Sequence, residues 1–457
     1  MNAANDVRMI HFQQALLATG WEENVRIGIR HGLVATLSTH AEPQPGDERH
    51  AIGIPGMSNL HSHAFQRGMA GLAERRGPGS DSFWTWRDIM YRFVDRITPE
   101  HLHVIAALAY VEMLETGFTR VGEFHYLHHD RNGTSYADPA ELSQAIMAAA
   151  ADTGIGLTHL PVFYAHAGFG GTEASPAQRR FVTDPDRFAR LLDAIRKAAT
   201  ALPDAIVGIA PHSLRAVTAD ELARLEELGG AGPIHIHIAE QMKEVDDCLA
   251  WSGRRPVEWL MDHAAVGRNW CLVHATHMTH AEIAAVARSG AVVGLCPVTE
   301  ANLGDGLFPA PSFQEAGGQY GIGSDSNILI DMTEELRWLE YGQRLDARTR
   351  NVLASGQGRS TGQEIFQASL EGGAQALGVA AGLAVGHVAD MVSLDANHPS
   401  LVGRGGTSIM DSLLFAAGRQ AIRNVWRRGD LVVSDGRHVA RDRIAAQYRK
   451  VLEAFAA

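Results

Sequence analysis

Asn59-Leu60-His61-Ser62-His63-Ala64-Phe65 comes just after the extended apolar run Ala51-Ile52-Gly53-Ile54-Pro55-Gly56-Met57. An apolar run of this kind reads as a buried strand. On a strand, residues two apart face the same side, so His61 and His63 project together. Two imidazoles placed in this way can reach one metal ion at about 2.0–2.1 Å each. A His-x-His pair is weak evidence in a chain with 23 histidines. Its meaning depends on what the rest of the chain brings to the same place.

From residue 51 onward, strand and helix patterns alternate. Strand candidates end at His61-Ser62-His63 and at Val121-Gly122-Glu123-Phe124-His125, and continue with Leu157–Phe163, Ala205–Ala210, Pro233–Ile238, Trp270–His274, Ala291–Cys296 and Tyr320–Asp325. Helical patterns lie between them, at 101–116, 139–152, 185–199, 219–228 and 280–288. Eight apolar strands alternating with helices predict an α/β fold of the (β/α)₈ TIM-barrel type, and residues 56–380 suit its usual size of about 250 residues or more. A doubly wound open sheet produces the same local pattern. The two ends have a different texture. Residues 7–55 read as short strands, among them 25–29 and 32–37, with a polar loop at 41–49; the tail carries strand-like stretches at 385–394, 425–433 and 436–439. Residues 1–55 and 381–457 are therefore expected to form one small composite β domain, sandwich-like, beside the barrel.

The 457 residues are 46% hydrophobic and 20% charged, enough to bury a large core. A formal net charge of −12 argues against general binding to nucleic acid or to anionic membranes. A few local arginines can still make a pocket for an anionic small molecule. Cys248, Cys271 and Cys296 are far apart and odd in number, which speaks against a disulfide framework and for a reducing compartment. Met1–Asp6 lacks a signal-peptide pattern, and no apolar run reaches membrane-spanning length. A cytoplasmic protein is expected.

Polar residues gather at the ends of the strand candidates: His61 and His63, His125-Tyr126, His212, His237 followed by Glu240, His274, and Asp325. A buried apolar strand has no structural need for a histidine at its tip. In a barrel, chemistry collects at these C-terminal strand ends. His61, His63, His237 and Asp325 can supply imidazole and carboxylate to a single divalent metal, which would acidify a water. Glu240 is placed for general acid–base work, and His274 to polarise an electrophile or hold the attacking water. His235 alternates with His237 and reads as structural. The fourth strand candidate has no lysine near its end, so a carbamylated-lysine bridge between two metals is not supported.

Pro55-Gly56-Met57-Ser58-Asn59-Leu60-His61-Ser62-His63, His237-Ile238-Ala239-Glu240, Leu272-Val273-His274 and Gly323-Ser324-Asp325-Ser326-Asn327 together resemble the amidohydrolase superfamily across nearly the whole chain. Within it the chain resembles the mononuclear deaminases. His63-Ala64-Phe65-Gln66-Arg67-Gly68-Met69-Ala70-Gly71 and Ser82-Phe83-Trp84-Thr85-Trp86-Arg87 narrow this to the formimidoylglutamate deiminases of histidine degradation. The resemblance implies catalytic Glu240, His274 and Asp325, one Zn²⁺ or other divalent ion per chain, and a homodimer. It also implies Gln66, Arg87, Tyr126, His212 and Arg215 as the groups that position N-formimidoyl-L-glutamate. Arginine forks suit a substrate with two carboxylates. Two rivals remain: a deaminase of guanine, cytosine or a triazine, which has no use for carboxylate clamps, and a non-catalytic scaffold, which would be expected to have lost part of this residue set.

Overall fold

The structure is a computed structural model and describes residues 7–76 and 83–456. Two parallel sheets carry the site. Strand Met57–Ser62 pairs with Phe118–His125, which pairs with Gly156–Phe163. The latter also pairs with a split fourth strand, Ile206–Val207 and Ala210–Pro211. The second sheet runs Ile234–Ile238, Trp270–His274, Val292–Leu295 and Gln319–Ile322, all parallel. These eight positions are the ones expected from the apolar runs, and most of their residues are buried, as strands covered on both faces should be.

The two sheets curl and meet at both margins. Parallel bridges join Ile209 to Ile234 and Ser213 to His237 on one side, and Ser62 to Asp325 on the other. His63 N and Asp325 N donate at 2.9 and 3.0 Å to the carbonyls of Asp325 and His61. The arrangement is an α/β fold of two curled parallel sheets, consistent with the expected barrel. Helix starts follow local chemistry. Asp184 caps Pro185–Ala199, while Thr218 and Thr279 form capping boxes with Glu221 and Glu282.

The chain ends supply one continuous eight-stranded sheet. Its order is Arg437–His438, Asp430–Ser434, Ile422–Arg427, Met391–Leu394, Glu48–Pro55, Arg8–Leu17, Gly20–Arg30, Leu33–Ser38. The pairing is that of a single sheet and does not of itself divide into two layers, so it does not confirm the sandwich-like arrangement expected from sequence. The strand expected over 385–394 is regular only from Met391, and the C-terminal helix Arg441–Ala456 was not foreseen. A buried ion network fastens this sheet to the parallel strands. Arg427 reaches Asp390 at 2.9 Å and also Asp204, which Arg120 holds at 2.6 Å. Among the described residues no helix is long and apolar enough to cross a membrane, and all three cysteines are buried and free.

Candidate active site

The margin where Met57–Ser62 meets Gln319–Ile322 builds the centre of the site. Gly323 makes the approach possible. A Cβ there would stand 2.7 Å from the His61 carbonyl oxygen and 2.8 Å from its nitrogen. Beyond it the chain turns sharply, with Asp325 at φ 43° and Asn327 at φ 54°. Such left-handed non-glycine residues are strained and persist where surrounding contacts hold them. Here Asn327 Nδ2 donates to Ser62 Oγ and to the carbonyls of His63 and Asp325, each at 3.1 Å. His274 and Ala239, at two other strand ends, are also left-handed, with φ 67° and 49°.

His61, His63, His237 and Asp325 converge so that one ligand atom from each lies within 4.8 Å of the others, all four residues being buried. His61 Nε2 is 3.2 Å from His63 Nε2 and 3.0 Å from His237 Nε2. Asp325 Oδ1 stands 3.5 and 3.3 Å from the first two. His63 Nδ1 faces the Phe124 carbonyl at 2.9 Å, and His237 Nδ1 faces the His212 carbonyl at 3.1 Å. A carbonyl only accepts, so each Nδ1 carries the proton and each Nε2 presents a lone pair to the centre. Burial favours the neutral rings, pulling His61 down to about 3 and His63 and His237 below their ordinary values. Burial opposes ionisation of Asp325, yet its contacts with His61 and His63 outweigh that and hold it well below the carboxylate range. Neutral imidazoles and one carboxylate facing a common point form a donor set that fits one divalent cation.

Glu240 and His274 lie beside this group. Burial pushes Glu240 up to about 7; Asp325 and Glu244 push the same way, while His274 and Arg215 oppose them. For His274 burial acts downward, but the carboxylates of Glu240, Glu300 and Asp325 prevail and raise it to about 10. Its Nε2 is 3.8 Å from both Glu240 Oε1 and Asp325 Oδ2. Its Nδ1 is 3.2 Å from Glu300 Oε1, which also accepts the Cys296 amide at 2.9 Å. Sequence reading missed Glu300. It lies on Pro297–Leu303, past the tip of the seventh strand, and only the fold turns it back onto His274.

A cavity of about 690 Å³ opens over this centre. Gln66, Arg87, Tyr126, His212 and Arg215, expected to position a substrate, all line it. Gln66 Nε2 donates to Tyr126 Oη at 2.9 Å, while its buried Oε1 has no hydrogen-bond partner. Buried Nε atoms of Arg87 and Arg215 also lack one among the described residues. Arg87 sits on the helix Phe83–Val94, and Ser82 of the same motif lies outside the described residues. The Arg87 guanidinium is 4.5 Å from the Trp84 ring centroid, and that of Arg215 is 5.7 Å from the same ring. Tyr91, Tyr164 and Phe181 complete an aromatic wall that sequence reading did not assign. His235 turns away from the cavity, with Nε2 2.8 Å from the Ala376 carbonyl, as its alternation with His237 requires. His125 does not join the site either; it packs against His159 with ring centroids 5.4 Å apart.

Comparison with known proteins agrees with this geometry. Residues 52–437 match the amidohydrolase family. The chain belongs to that family. In addition, residues 7–51 match the N-terminal domain of formimidoylglutamate deiminase HutF. Among curated relatives of this amidohydrolase is the formimidoylglutamate deiminase of Pseudomonas aeruginosa, 52% identical over 97% of this chain and 98% of the relative. An amidohydrolase crystal structure from Brucella melitensis superposes with a TM-score of 0.95 at 54% identity, covering 98% and 100% of the two chains. An adenosine deaminase from Xanthomonas campestris with bound zinc reaches 0.82 at 23% identity over 98% of each chain, a likeness of fold alone. The family uses a divalent metal, and the His61, His63, His237 and Asp325 group can hold one.

Proposed function

We propose that this amidohydrolase hydrolyses N-formimidoyl-L-glutamate to N-formyl-L-glutamate and ammonia, as a cytoplasmic step of histidine degradation. The observation that carries the reading is the pair Arg87 and Arg215 in the cavity above the His/Asp group, within a chain of net charge −12. The Nε of each has no hydrogen-bond partner among the described residues, which suits a substrate with two carboxylates. The 52% identical deiminase supports the same substrate.

In this reading His61, His63, His237 and Asp325 hold one divalent ion, taken as Zn²⁺, which supplies Lewis acidity. Arg87 and Arg215 grip the carboxylates, while Gln66, Tyr126 and His212 orient the formimino group. Water adds to the formimino carbon, and Glu240 takes the proton given up by that water. Glu240 delivers it to the terminal =NH nitrogen, which becomes an amine on the tetrahedral carbon. The proton of the new hydroxyl follows by the same route to that amine, the C=O forms as the C–N bond breaks, and ammonia leaves. A carboxyl titrating at about 7 can act in both directions near neutrality. His274, cationic and fixed by Glu300, donates from Nε2 toward the reacting centre, and Asp325 shares in catalysis as ligand and neighbour. Residues 56–380 form a closed (β/α)₈ barrel, residues 1–55 and 381–457 form the small domain, and the chain works as a homodimer.

The aromatic wall of Trp84, Tyr91, Tyr126 and Tyr164 favours a second reading, deamination of a nucleobase or triazine. An ammonia-release assay separates the two. N-formimidoyl-L-glutamate should be turned over, with guanine and cytosine inert; the opposite ranking would overturn the assignment.

A further inference from the structure

Of the forty basic residues only three are lysines: Lys197, Lys243 and Lys450. Lys243 lines the cavity. It lies at the start of the helix Met242–Ser252, three residues after Glu240. Its Nζ is 5.9 Å from the Trp84 ring centroid, the same ring that Arg87 and Arg215 face at 4.5 and 5.7 Å. Three cations thus gather around one indole at one end of the cavity. An arginine fork binds in a fixed plane, whereas a lysine ammonium is a point charge on a flexible stem. Lysine is the residue that can swing.

The partner of Lys243 is Asp247, at 2.6 Å, and both side chains are about half exposed. An exposed ion pair one helical turn apart is among the weakest kinds of contact, because solvent screens it and two long side chains must be ordered. Asp247 also lines the cavity, so the ammonium sits at the edge of the site in a contact that is easily exchanged. A carboxylate held against Trp84 would lie nearer to two further cations and in a less wet place, where a charge-assisted contact is stronger.

We propose that Lys243 is a third carboxylate-binding residue, one that leaves Asp247 for a substrate carboxylate and makes the site selective for dicarboxylates over monocarboxylates. The inference rests on the reading of the cavity as a dicarboxylate site. It assigns Arg87 and Arg215 the rigid part of the grip, and Lys243 the closing part.

The test uses the full-length, metal-loaded enzyme and two readouts. In the first, Lys243→Met should raise KM for N-formimidoyl-L-glutamate by roughly 5- to 30-fold, the loss expected for one half-exposed charge-assisted contact. The kcat should stay within about twofold, since Lys243 does not touch the reacting carbon, and Lys243→Arg should restore most of the KM. Of two monoacids, N-formimidoyl-4-aminobutyrate and N-formimidoyl-2-aminobutyrate, the one lacking the carboxylate that Lys243 holds should be indifferent to the substitution. In the second readout, calorimetric binding of glutarate should weaken by a similar factor in Lys243→Met, while that of butyrate should not. An unchanged KM, or an equal loss for the diacid and both monoacids, would overturn the proposal. If the parent enzyme fails to turn over N-formimidoyl-L-glutamate but binds glutarate through Lys243, the reaction assignment falls and the carboxylate site stands.

Discussion

Replacing Arg215 with methionine removes a cation from the cavity while keeping much of the aliphatic bulk. Arg215 follows the split fourth strand, lies mostly buried beside Trp84, and has a buried Nε without a hydrogen-bond partner among the described residues. Losing one partner of a desolvated charge pair costs about 2–5 kcal/mol. Arg215 is mostly buried and its Nε wholly so, and the full range applies. At about 1.4 kcal/mol per decade this is roughly a 30- to several-thousand-fold loss in kcat/KM for N-formimidoyl-L-glutamate. A second effect has a defined sign. Arg215 lowers the pKa of Glu240, so its removal should raise that pKa above its present value of about 7. If ionised Glu240 accepts the proton from water, the acid limb of the pH–rate profile must move to higher pH. Steady-state ammonia release between pH 5.5 and 9 reads both effects, with a formimino analogue lacking the gripped carboxylate as control. The control should be a poor substrate of the parent and little changed by the mutation, apart from the shifted limb. Equal losses for both substrates would make Arg215 structural. An unchanged kcat/KM for the diacid would remove the main physical support for the dicarboxylate reading and favour the nucleobase one.

Three further outcomes are expected. Glu240→Gln keeps the shape and removes the proton carrier, so kcat should fall by roughly 10²–10⁴-fold while metal content, measured by elemental analysis, stays at the parent level; near-normal turnover would refute the role. The purified protein should hold about one divalent ion per chain, and chelation should abolish ammonia release until metal is restored; full activity in a metal-free preparation would refute the ligand assignment. Gly323→Ala places a methyl 2.7 Å from the His61 carbonyl oxygen, so the strand margin must open and both metal retention and thermal midpoint should drop; an unchanged metal content would show that the margin yields without disturbing His61.

Much of the fold could be read from the chain because buried parallel strands announce themselves locally. All eight apolar runs between residues 51 and 325 became strands of the two curled sheets, and the five helices expected between them started at Pro99, Glu141, Pro185, Ala219 and His280, within two residues of expectation, while others, such as Met242–Ser252 and Pro256–His263, were not foreseen. The terminal strands were less legible. Regularity in 391–394 depends on a neighbour, Glu48–Pro55, that lies more than three hundred residues away in sequence, and no local pattern shows whether such strands form one sheet or two.

The candidate site divides along the same line. Residue type and strand-end position singled out His61, His63, His237, Glu240, His274 and Asp325, because an ionisable group at the tip of an apolar strand is costly unless it is used. The sequence alone could not place Glu300 behind His274, assemble the aromatic wall, or set Arg87, Arg215 and Lys243 around one indole. Those residues come from separate elements, and their meeting depends on how the loops and helices after different strands return over the strand ends. Local chemistry, carried by residue type and by periods of 2 and 3.6, is written in the order of the chain. Convergence depends on distances between segments that are remote in sequence, and only the folded backbone fixes those.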